Sequence, residues 1–367
     1  MNRRLFALVC GTALAASSLL AQGYLDIAKK NVAQATNGPV TDWTGPTTGP
    51  KAVPGKFVVY VASDLKNGGV QGVSQGFTEA ANAIGWKSRV LDGQGSVNNQ
   101  LAALNQAIAL KPDGIVVGGF SADTTMDTLA KAEGLGIKLV GWHAVPEPGP
   151  APKEHLFFNV GTSVNTVAAI AADYAIVKSN GHAKAVLFTD STYPIAIAKS
   201  LAIKKYLEQA GTVIDYVDTP LADVAARMPS LGFSLLQKYK DDYQFSIGIN
   251  DLYFDYIAAS FASAHKDPAG PPYNISAGDG SKSAYQRIRT NKYQVATVPE
   301  PLNLHGWQLV DELNRALAKA TPSGYSEPVH IVTKENIAYD GGPDNVYDPS
   351  NKYRNHYASV WGVTYKQ

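Results

Sequence analysis

The chain has 367 residues, of which 45% are hydrophobic, and a formal net charge of +1. This length suggests two domains of ordinary size, and the balanced charge excludes a strong electrostatic preference for nucleic acid or an acidic membrane. The only cysteine, Cys10, lies in the segment described next. A mature protein without that segment would have no disulfide, no thiolate metal site and no cysteine nucleophile.

The first 21 residues have the pattern of a secretory signal peptide. Arg3 and Arg4 precede an apolar run from Leu5 to Leu20, which is too short to span a bilayer comfortably. We expect cleavage after Ala21 and export to the periplasm. The two arginines also weakly match a twin-arginine signal, and a buried first helix is the alternative interpretation.

Residues 22–55 are predicted to form an N-terminal arm. A short helix is expected at Tyr24–Ala35, and irregular chain should follow it. Threonine, proline and glycine are concentrated between Thr44 and Pro54, which is typical of a loop.

Strands and helices alternate from residue 56 onwards. The first strand, Phe57–Ala62, is a continuous run of β-branched and aromatic residues, as expected for a buried strand. A helix over Val70–Ile84 follows and stops at Gly85. The further elements are strands Ser88–Leu91, Ile115–Val117 and Lys138–Trp142 and helices Val97–Leu110 and Thr124–Glu133. Such alternation with short loops predicts a parallel sheet covered by helices.

A second alternating series begins near residue 185. Its predicted strands are Ala185–Thr189, Val213–Val217, Phe245–Ile249 and Asn274–Ala277, and its helices are Ile195–Gln209, Phe233–Tyr239, Tyr253–Ala264 and one near Ser283–Arg289. The repetition predicts an α/β fold with two similar doubly wound lobes.

Prolines cluster at residues 146–152, 299–301 and 322–328, and a long amphipathic helix is predicted at Leu302–Ala320. We interpret the clusters as three crossings of a hinge between the lobes; three ordinary surface loops are the alternative. The predicted division is a signal peptide at 1–21, the arm at 22–55, a first lobe of 56–145 plus 301–324, and a second lobe of 146–300 plus 325–367 with a C-terminal extension.

Polar and aromatic residues follow most of the predicted strands. In a doubly wound sheet, ligands bind beyond the carboxyl ends of the strands. The candidate ligand-binding residues are Asp64, Asn67, Phe120, Ser121, Trp142, His143, Asp190, Tyr193, Asn250, Asp279 and Glu300. Carboxylates, amides and aromatic faces suit a neutral polyhydroxyl ligand, although a single aspartate after a strand is often a helix cap. These segments contain no arginine and no lysine except Lys66, so we expect a neutral or cationic ligand.

A dinucleotide fold is a rival interpretation of the first loop. Gly68, Gly69 and Gly72 open a helix after a strand, and Asp92 follows about twenty residues later. The spacing is not G-x-G-x-x-G, however, and Asp92 is flanked by turn glycines. The seven histidines form no H-x-x-x-H or similar pair, so neither a metal nor a cofactor is expected.

From Phe57 to about Glu327 the chain resembles the ribose-type periplasmic sugar-binding proteins of ABC importers. The landmarks are Val61-Ala62-Ser63-Asp64 with Asn67, Leu104-Asn105-Gln106-Ala107-Ile108-Ala109 before Lys111-Pro112-Asp113-Gly114-Ile115, Gly136-Ile137-Lys138-Leu139-Val140, Ile249-Asn250-Asp251, and Ala277-Gly278-Asp279-Gly280. The resemblance implies the type I periplasmic binding protein fold, with two lobes that close on one ligand about a three-stranded hinge.

The resemblance also carries over to individual positions. It implies that Asn67, Asn250 and Asp279 contact the ligand, and Glu300 stands where a glutamine contact is usual. The chain departs from the family pattern at three places: Gly69-Val70 replaces stacking aromatics, His143-Ala144 replaces an Asp-Arg pair, and residues 190–197 contain no arginine. The family explains neither the arm nor the aromatic-rich tail at Ile331–Val363, which could pack over the hinge or the second lobe.

We therefore expect a monomeric receptor that captures a sugar or polyol in the periplasm and hands it to an ABC permease in the inner membrane, without catalysis and without a nucleic-acid partner. Three alternatives stay open. The ligand could be an amino sugar or another small cationic metabolite, the protein could be a periplasmic oxidoreductase of the dinucleotide type, or it could present its ligand to a membrane sensor.

Overall fold

A computed structural model describes residues 21–365 of the chain. The predicted signal peptide therefore lies outside the described residues, except for Ala21. Within this range no helix is both long enough and apolar enough to cross a membrane. A helix covers residues 21–36 (α1), in agreement with the helix predicted for the arm.

The first lobe is built on a six-stranded sheet with the order β2-β1-β3-β4-β6-β5. Its strands are β1 (Phe57–Ala62), β2 (Lys87–Asp92), β3 (Gly114–Gly118), β4 (Lys138–Trp142), β5 (Gly149–Ala151) and β6 (Leu156–Val160). The helices α2 (Gly68–Ala83), α3 (Val97–Ala109) and α4 (Met126–Gly134) connect its parallel strands. Only β5 is antiparallel to its neighbour, β6.

The second lobe repeats this plan with the strand order β12-β11-β10-β9-β7-β8. Its strands are β7 (Ala183–Thr189), β8 (Gly211–Asp218), β9 (Phe245–Gly248), β10 (Tyr273–Ser276), β11 (Ala296–Thr297) and β12 (Val332–Thr333). Its helices are α5 (Val164–Lys178), α6 (Pro194–Leu207), α7 (Val224–Tyr239), α8 (Leu252–Ser263) and α9 (Lys282–Thr290). The prediction of two similar doubly wound lobes is confirmed.

The first crossing between the lobes lies later than the sequence suggested. Residues 149–151 and 156–160 form β5 and β6 of the first sheet, so the prolines at 146–152 belong to an edge hairpin. The chain crosses at 161–163 and continues into α5, which packs in the core of the second lobe. The predicted boundary at residue 145 was therefore too early. Because α5 is rich in alanine and apolar around most of its surface, it shows no amphipathic period.

The second and third crossings lie at the two later proline clusters. Between them, α10 (Leu302–Leu317) returns to the first lobe and packs against α2, β4 and β6. Two glycines let α2 and α10 approach closely: a β-carbon on Gly306 would lie 2.6 Å from Cα of Gly76. This contact fixes the start of α10, and with it the hinge, against the first lobe.

The arm joins the two lobes outside the hinge. Leu25 and Ala28 of α1 are buried in the core of the second lobe, where Asn31 donates a 2.8 Å hydrogen bond to Asp173. The chain then reaches the first lobe, where Trp43 stacks on His356 with ring centroids 5.3 Å apart. The arm therefore contacts both lobes.

The C-terminal tail also contacts both lobes. β12 pairs antiparallel with β11 of the second lobe, whereas α11 (Tyr353–Trp361) packs on α10 in the first lobe. There the ring of Trp361 stacks on Trp307 at 5.4 Å. The assignment of residues 325–367 to the second lobe was therefore wrong for α11. α11 packs on the first lobe because its aromatic residues cover the apolar face of α10 around Trp307.

Candidate ligand-binding cleft

A cavity of about 400 Å³ lies between the lobes, beyond the carboxyl ends of both sheets. Seven of the eleven candidate residues lie on its wall: Asp64, Asn67, Trp142, His143, Tyr193, Asn250 and Asp279. The first four come from the first lobe and the last three from the second. Residues up to about 215 positions apart in the chain therefore face one space, which has the size of a small-molecule site.

The other four candidates lie elsewhere. Phe120 is buried in the core of the first lobe. Asp190 is also buried, and it accepts hydrogen bonds from the backbone nitrogens of Thr192 and Leu221. It therefore holds the turns that follow β7 and β8, although it caps neither helix. Ser121 lies in a small adjoining pocket, and Glu300 lies behind the wall in contact with His143.

Asn67 begins α2 and connects the cleft to that helix. Its side-chain oxygen accepts hydrogen bonds from the backbone nitrogens of Gly69, at 2.9 Å, and Val70, at 3.4 Å. This is an ordinary N-cap, and it uses only the oxygen of the amide. The amide nitrogen stays available as a donor on the cavity wall.

Asn250 and Asp279 follow neighbouring strands of the second sheet and contact each other. The Asn250 amide nitrogen donates to Oδ2 of Asp279 at 3.3 Å, and its oxygen accepts from the backbone nitrogen of Leu252 at 3.0 Å. Burial raises the pKa of the Asp279 carboxyl, and the charges of His143 and Lys199 counteract this only in part. The pair presents an acceptor and a donor to the cavity.

His143 and Glu300 form a pair across the hinge side of the cleft. The Nε2 atom of His143 lies 2.9 Å from one carboxylate oxygen of Glu300 and 3.1 Å from the other. Burial opposes ionisation of Glu300, but His143, His305 and Lys199 outweigh it and lower the pKa of the carboxyl to about 2. The imidazole of His143 also stacks on the indole of Trp142 at 4.1 Å.

Lys199 is a cleft residue that the sequence analysis missed. It lies in the second turn of α6, is only 5% exposed and lines the cavity. It forms no hydrogen bond or ion pair with another side chain of the described residues, so its ammonium is available to a bound molecule. The candidate residues follow predicted strands, and a lysine inside a helix carries no such signal in the sequence. The expectation of a neutral or cationic ligand was based on the strand ends alone and did not take the Lys199 ammonium into account.

The donor set in the cleft does not call for a metal. His143, Asp279 and Glu300 bring potential ligand atoms within 4.8 Å of one another. The His143 nitrogen is already bonded to Glu300, however, and the Lys199 ammonium acts on both carboxylates. A nearby fixed cation disfavours a second one, so we assign this group a hydrogen-bonding role.

The glycines of the first loop serve helix packing and lobe contact. A β-carbon on Gly72 would lie 2.7 Å from a methyl group of Leu302, which places this face of α2 against α10. Asp92 accepts hydrogen bonds from the backbone nitrogens of Leu65 and Gln94, so it holds a turn. Neither feature leaves a phosphate cradle for the dinucleotide alternative.

Comparisons with known proteins agree with the two-lobed fold described above. A sequence model described as a periplasmic binding protein domain matches residues 58–321. No curated protein matched the chain.

Several solved structures share the architecture at low sequence identity. One is GanP, a glucose-galactose binding protein from Geobacillus stearothermophilus (17% identity, 77% of this chain and 98% of that chain, TM-score 0.67). Another is the periplasmic binding protein component of the arabinose ABC transporter from Shewanella sp. ANA-3 (14%, 85% and 100%, 0.67). A third is an ABC transporter solute binding protein from Agrobacterium vitis bound with alpha-D-tagatopyranose (15%, 80% and 99%, 0.69).

Proposed function

The chain belongs to the periplasmic binding protein family, and we propose that it is a periplasmic receptor that captures a sugar or polyol and delivers it to an ABC importer in the inner membrane. The observation that carries the proposal is the cleft. Amide groups of Asn67 and Asn250, the Asp279 carboxylate and the Lys199 ammonium converge on one cavity from both lobes. The structural neighbours named above are sugar-binding proteins in their descriptions, which supports the ligand class.

The chemistry of this wall suits hydroxyl groups. Each sugar hydroxyl can donate one hydrogen bond and accept others. Asp279 accepts, whereas the amide nitrogens and Lys199 donate, so a polyol could satisfy both kinds of group at once. The function requires binding, closure of the lobes and release to the permease, with no bond made or broken.

Lys199 favours a neutral ligand over a cationic one. An amino sugar would bring an ammonium group into the space that already holds the Lys199 ammonium, and like charges in a partly buried site repel. We therefore rank neutral sugars and polyols first. The charge of Lys199 is offset by Asp279 on the same wall, so an anionic ligand has no excess positive charge to bind.

A thermal-shift series would test the proposal directly. Neutral sugars, polyols, amino sugars, sugar acids and nicotinamide dinucleotide would each be added to the purified protein. A ligand present at 100 times its dissociation constant stabilises the fold by about 2.7 kcal/mol, which is easily measured. We expect neutral sugars or polyols to respond. A response confined to amines or to the dinucleotide would contradict the proposal.

The location can be tested separately. We propose that residues 1–21 are removed during export, and N-terminal sequencing of protein from a periplasmic fraction should then begin at Gln22. Recovery of the chain with Met1, in the cytoplasm or the membrane, would contradict this part of the proposal.

A further inference from the structure

Four buried polar side chains connect all three crossings of the hinge. Thr162 lies in the first crossing, Glu300 in the second and Glu327 in the third, while His305 lies in the first turn of α10. We call these four residues the hinge cluster. His305 is fully buried, and each of the other three is at most 7% exposed. Buried polar groups of this kind are costly unless they are well paired, so their contacts matter.

One side of His305 faces the third crossing. Its Nε2 atom lies 2.5 Å from Oε1 of Glu327, and the hydroxyl of Thr162 donates to the same oxygen at 2.7 Å. The other carboxylate oxygen of Glu327 has no hydrogen-bond partner among the described residues. Glu327 therefore ties the first and third crossings to His305.

The other side of His305 faces the cleft. The indole nitrogen of Trp142 donates to Nδ1 of His305 at 3.1 Å, and Oε2 of Glu300 lies 3.4 Å from the same Nδ1. Because an indole N–H can only donate, Nδ1 must carry a lone pair in this arrangement. This arrangement therefore requires a neutral imidazole with its proton on Nε2, directed at Glu327.

We propose that His305 is a positioning residue for the cleft, and that its protonation exchanges the Trp142 hydrogen bond for one with Glu300. A charged imidazole carries hydrogens on both nitrogens and cannot accept from Trp142. Its new Nδ1–H group faces Glu300, which it then shares with His143. Trp142 then loses its acceptor, so the stacked pair of Trp142 and His143 on the cavity wall loses one of its supports.

The charges around His305 favour its protonation. Burial disfavours the imidazolium, but Glu327, Glu300 and Asp279 outweigh burial and raise the pKa of His305 above its ordinary value. The elements packed on α10 add little free charge. Glu79, the only ionisable side chain of α2, is paired with Arg354 of α11 at 2.7 Å, and β6 has no ionisable side chain. The only ionisable side chain of β4 is Lys138, which lies at the opposite end of the strand from Trp142.

The exchange can be observed in the ligand-free protein by the indole ¹H–¹⁵N resonance of Trp142 between pH 5 and 9. The chain has five tryptophans, and W142F would assign the signal. We expect a pH-dependent shift in the wild type and none in H305Q. Glutamine can accept from Trp142 and donate to Glu327 at any pH, so it mimics the neutral imidazole. H143Q is the control. It changes the side chain that stacks on Trp142 but leaves His305 in place, so the pH-dependent shift should remain.

Three results would overturn the proposal: an invariant Trp142 signal in the wild type, an unchanged shift in H305Q, or loss of the shift in H143Q alone. E327Q provides an independent measurement if H305Q does not fold. It removes one negative charge beside Nε2 but keeps an acceptor oxygen, so the midpoint of the Trp142 shift should move to lower pH. An unchanged midpoint would also contradict the proposal.

The consequence for binding rests on the proposed function. With D-galactose or L-arabinose as probe, the dissociation constant should be about tenfold higher at pH 5.5 than at pH 8.5 in the wild type, as expected for one lost hydrogen bond. In H305Q it should stay nearly constant. If neither sugar binds, the sugar assignment is called into question, whereas the indole measurement still decides the role of His305.

Discussion

Gly69 and Asp279 belong to different lobes, yet a β-carbon on Gly69 would collide with the carboxylate of Asp279 and lie 2.7 Å from its β-carbon. Gly69 lies in the first turn of α2 and Asp279 follows β10. Only a hydrogen atom fits between them. The two lobes are therefore closed against each other beside the cleft, and the absence of a side chain at residue 69 is a condition of that closure.

The G69A variant should bind its ligand more weakly because the added methyl group obstructs closure. Overpacking of this kind costs about 1–3 kcal/mol, so calorimetry should show a loss of affinity of about 5- to 150-fold. G68A is the matched control, since a β-carbon on Gly68 meets no atom within 4 Å. Equal affinities of the two variants would show that this contact does not limit closure.

The K199M variant should lose affinity for a neutral sugar by roughly 10- to 100-fold, as expected for a hydrogen bond from a charged donor. Methionine keeps most of the side-chain volume without the ammonium. K204M, on the exposed side of the same helix, should bind as the wild type does. If K199M and K204M gave the same dissociation constant by calorimetry, Lys199 would have no role in ligand binding.

The N250A and D279A variants should each lose roughly 1.5–3 kcal/mol of binding free energy, because each removes a hydrogen-bonding group on the cavity wall. D241A, an exposed aspartate of the same lobe, is the control. Thermal unfolding without ligand should confirm that both cleft variants remain folded. Unchanged affinity in both would contradict the assignment of this wall.

Glu312 should make the protein less stable as the pH rises through neutrality. Burial raises the pKa of its carboxyl from about 4.5 in the unfolded chain to about 7. The neutral acid is thus the form that the fold tolerates, and its stability contribution is present below pH 4.5 and lost as the pH rises through 7. The difference corresponds to about 3 kcal/mol.

The comparison of urea unfolding at pH 5, 6.5 and 8 would test this. E312Q has no proton to lose, so its stability relative to the wild type should increase with pH. The exposed Glu208 supplies a control, E208Q, whose difference from the wild type should stay constant. A difference for E312Q that does not change with pH would show that Glu312 titrates normally.

The arm should contribute to the stability of the second lobe. Leu25 is 1% exposed in α1, whereas Ile27 on the same helix is 53% exposed. L25A should cost about 2–5 kcal/mol of unfolding free energy, as for other buried leucines, and I27A should stay within about 0.5 kcal/mol of the wild type. If L25A unfolded like I27A, the arm would be an independent attachment that is not part of the cooperative fold.

Several elements could be predicted from the sequence because their signal is local. The strands Phe57–Ala62 and Lys138–Trp142 were predicted with the bounds that the structure has, since a run of β-branched and aromatic residues already excludes a helix. β6 and α5 were not predicted. A proline-rich segment precedes β6, and α5 is apolar around most of its surface, so neither shows the alternation that marks its type.

In the candidate site, too, some residues could be predicted from the sequence and others could not. Asn67, Asn250 and Asp279 directly follow strands or begin helices, and the rule that ligands bind beyond strand ends places them at one edge. Lys199 and His305 lie inside helices, where a polar residue normally indicates a solvent-exposed face. Only the packing of α6 and α10 shows that both are buried beside the cleft.

The sequence by itself determined the class of the fold and its repetition, because hydrophobic periodicity depends on neighbours two to four positions apart. Only the tertiary structure decided which residues meet: Gly69 with Asp279, Trp142 with His305, and Thr162 with Glu327. These partners are more than 150 positions apart, and their contact depends on how two lobes, an arm and a tail pack together. No local sequence pattern encodes contacts over such separations. The shape of the cleft and the positions of its charged groups therefore follow from the tertiary fold.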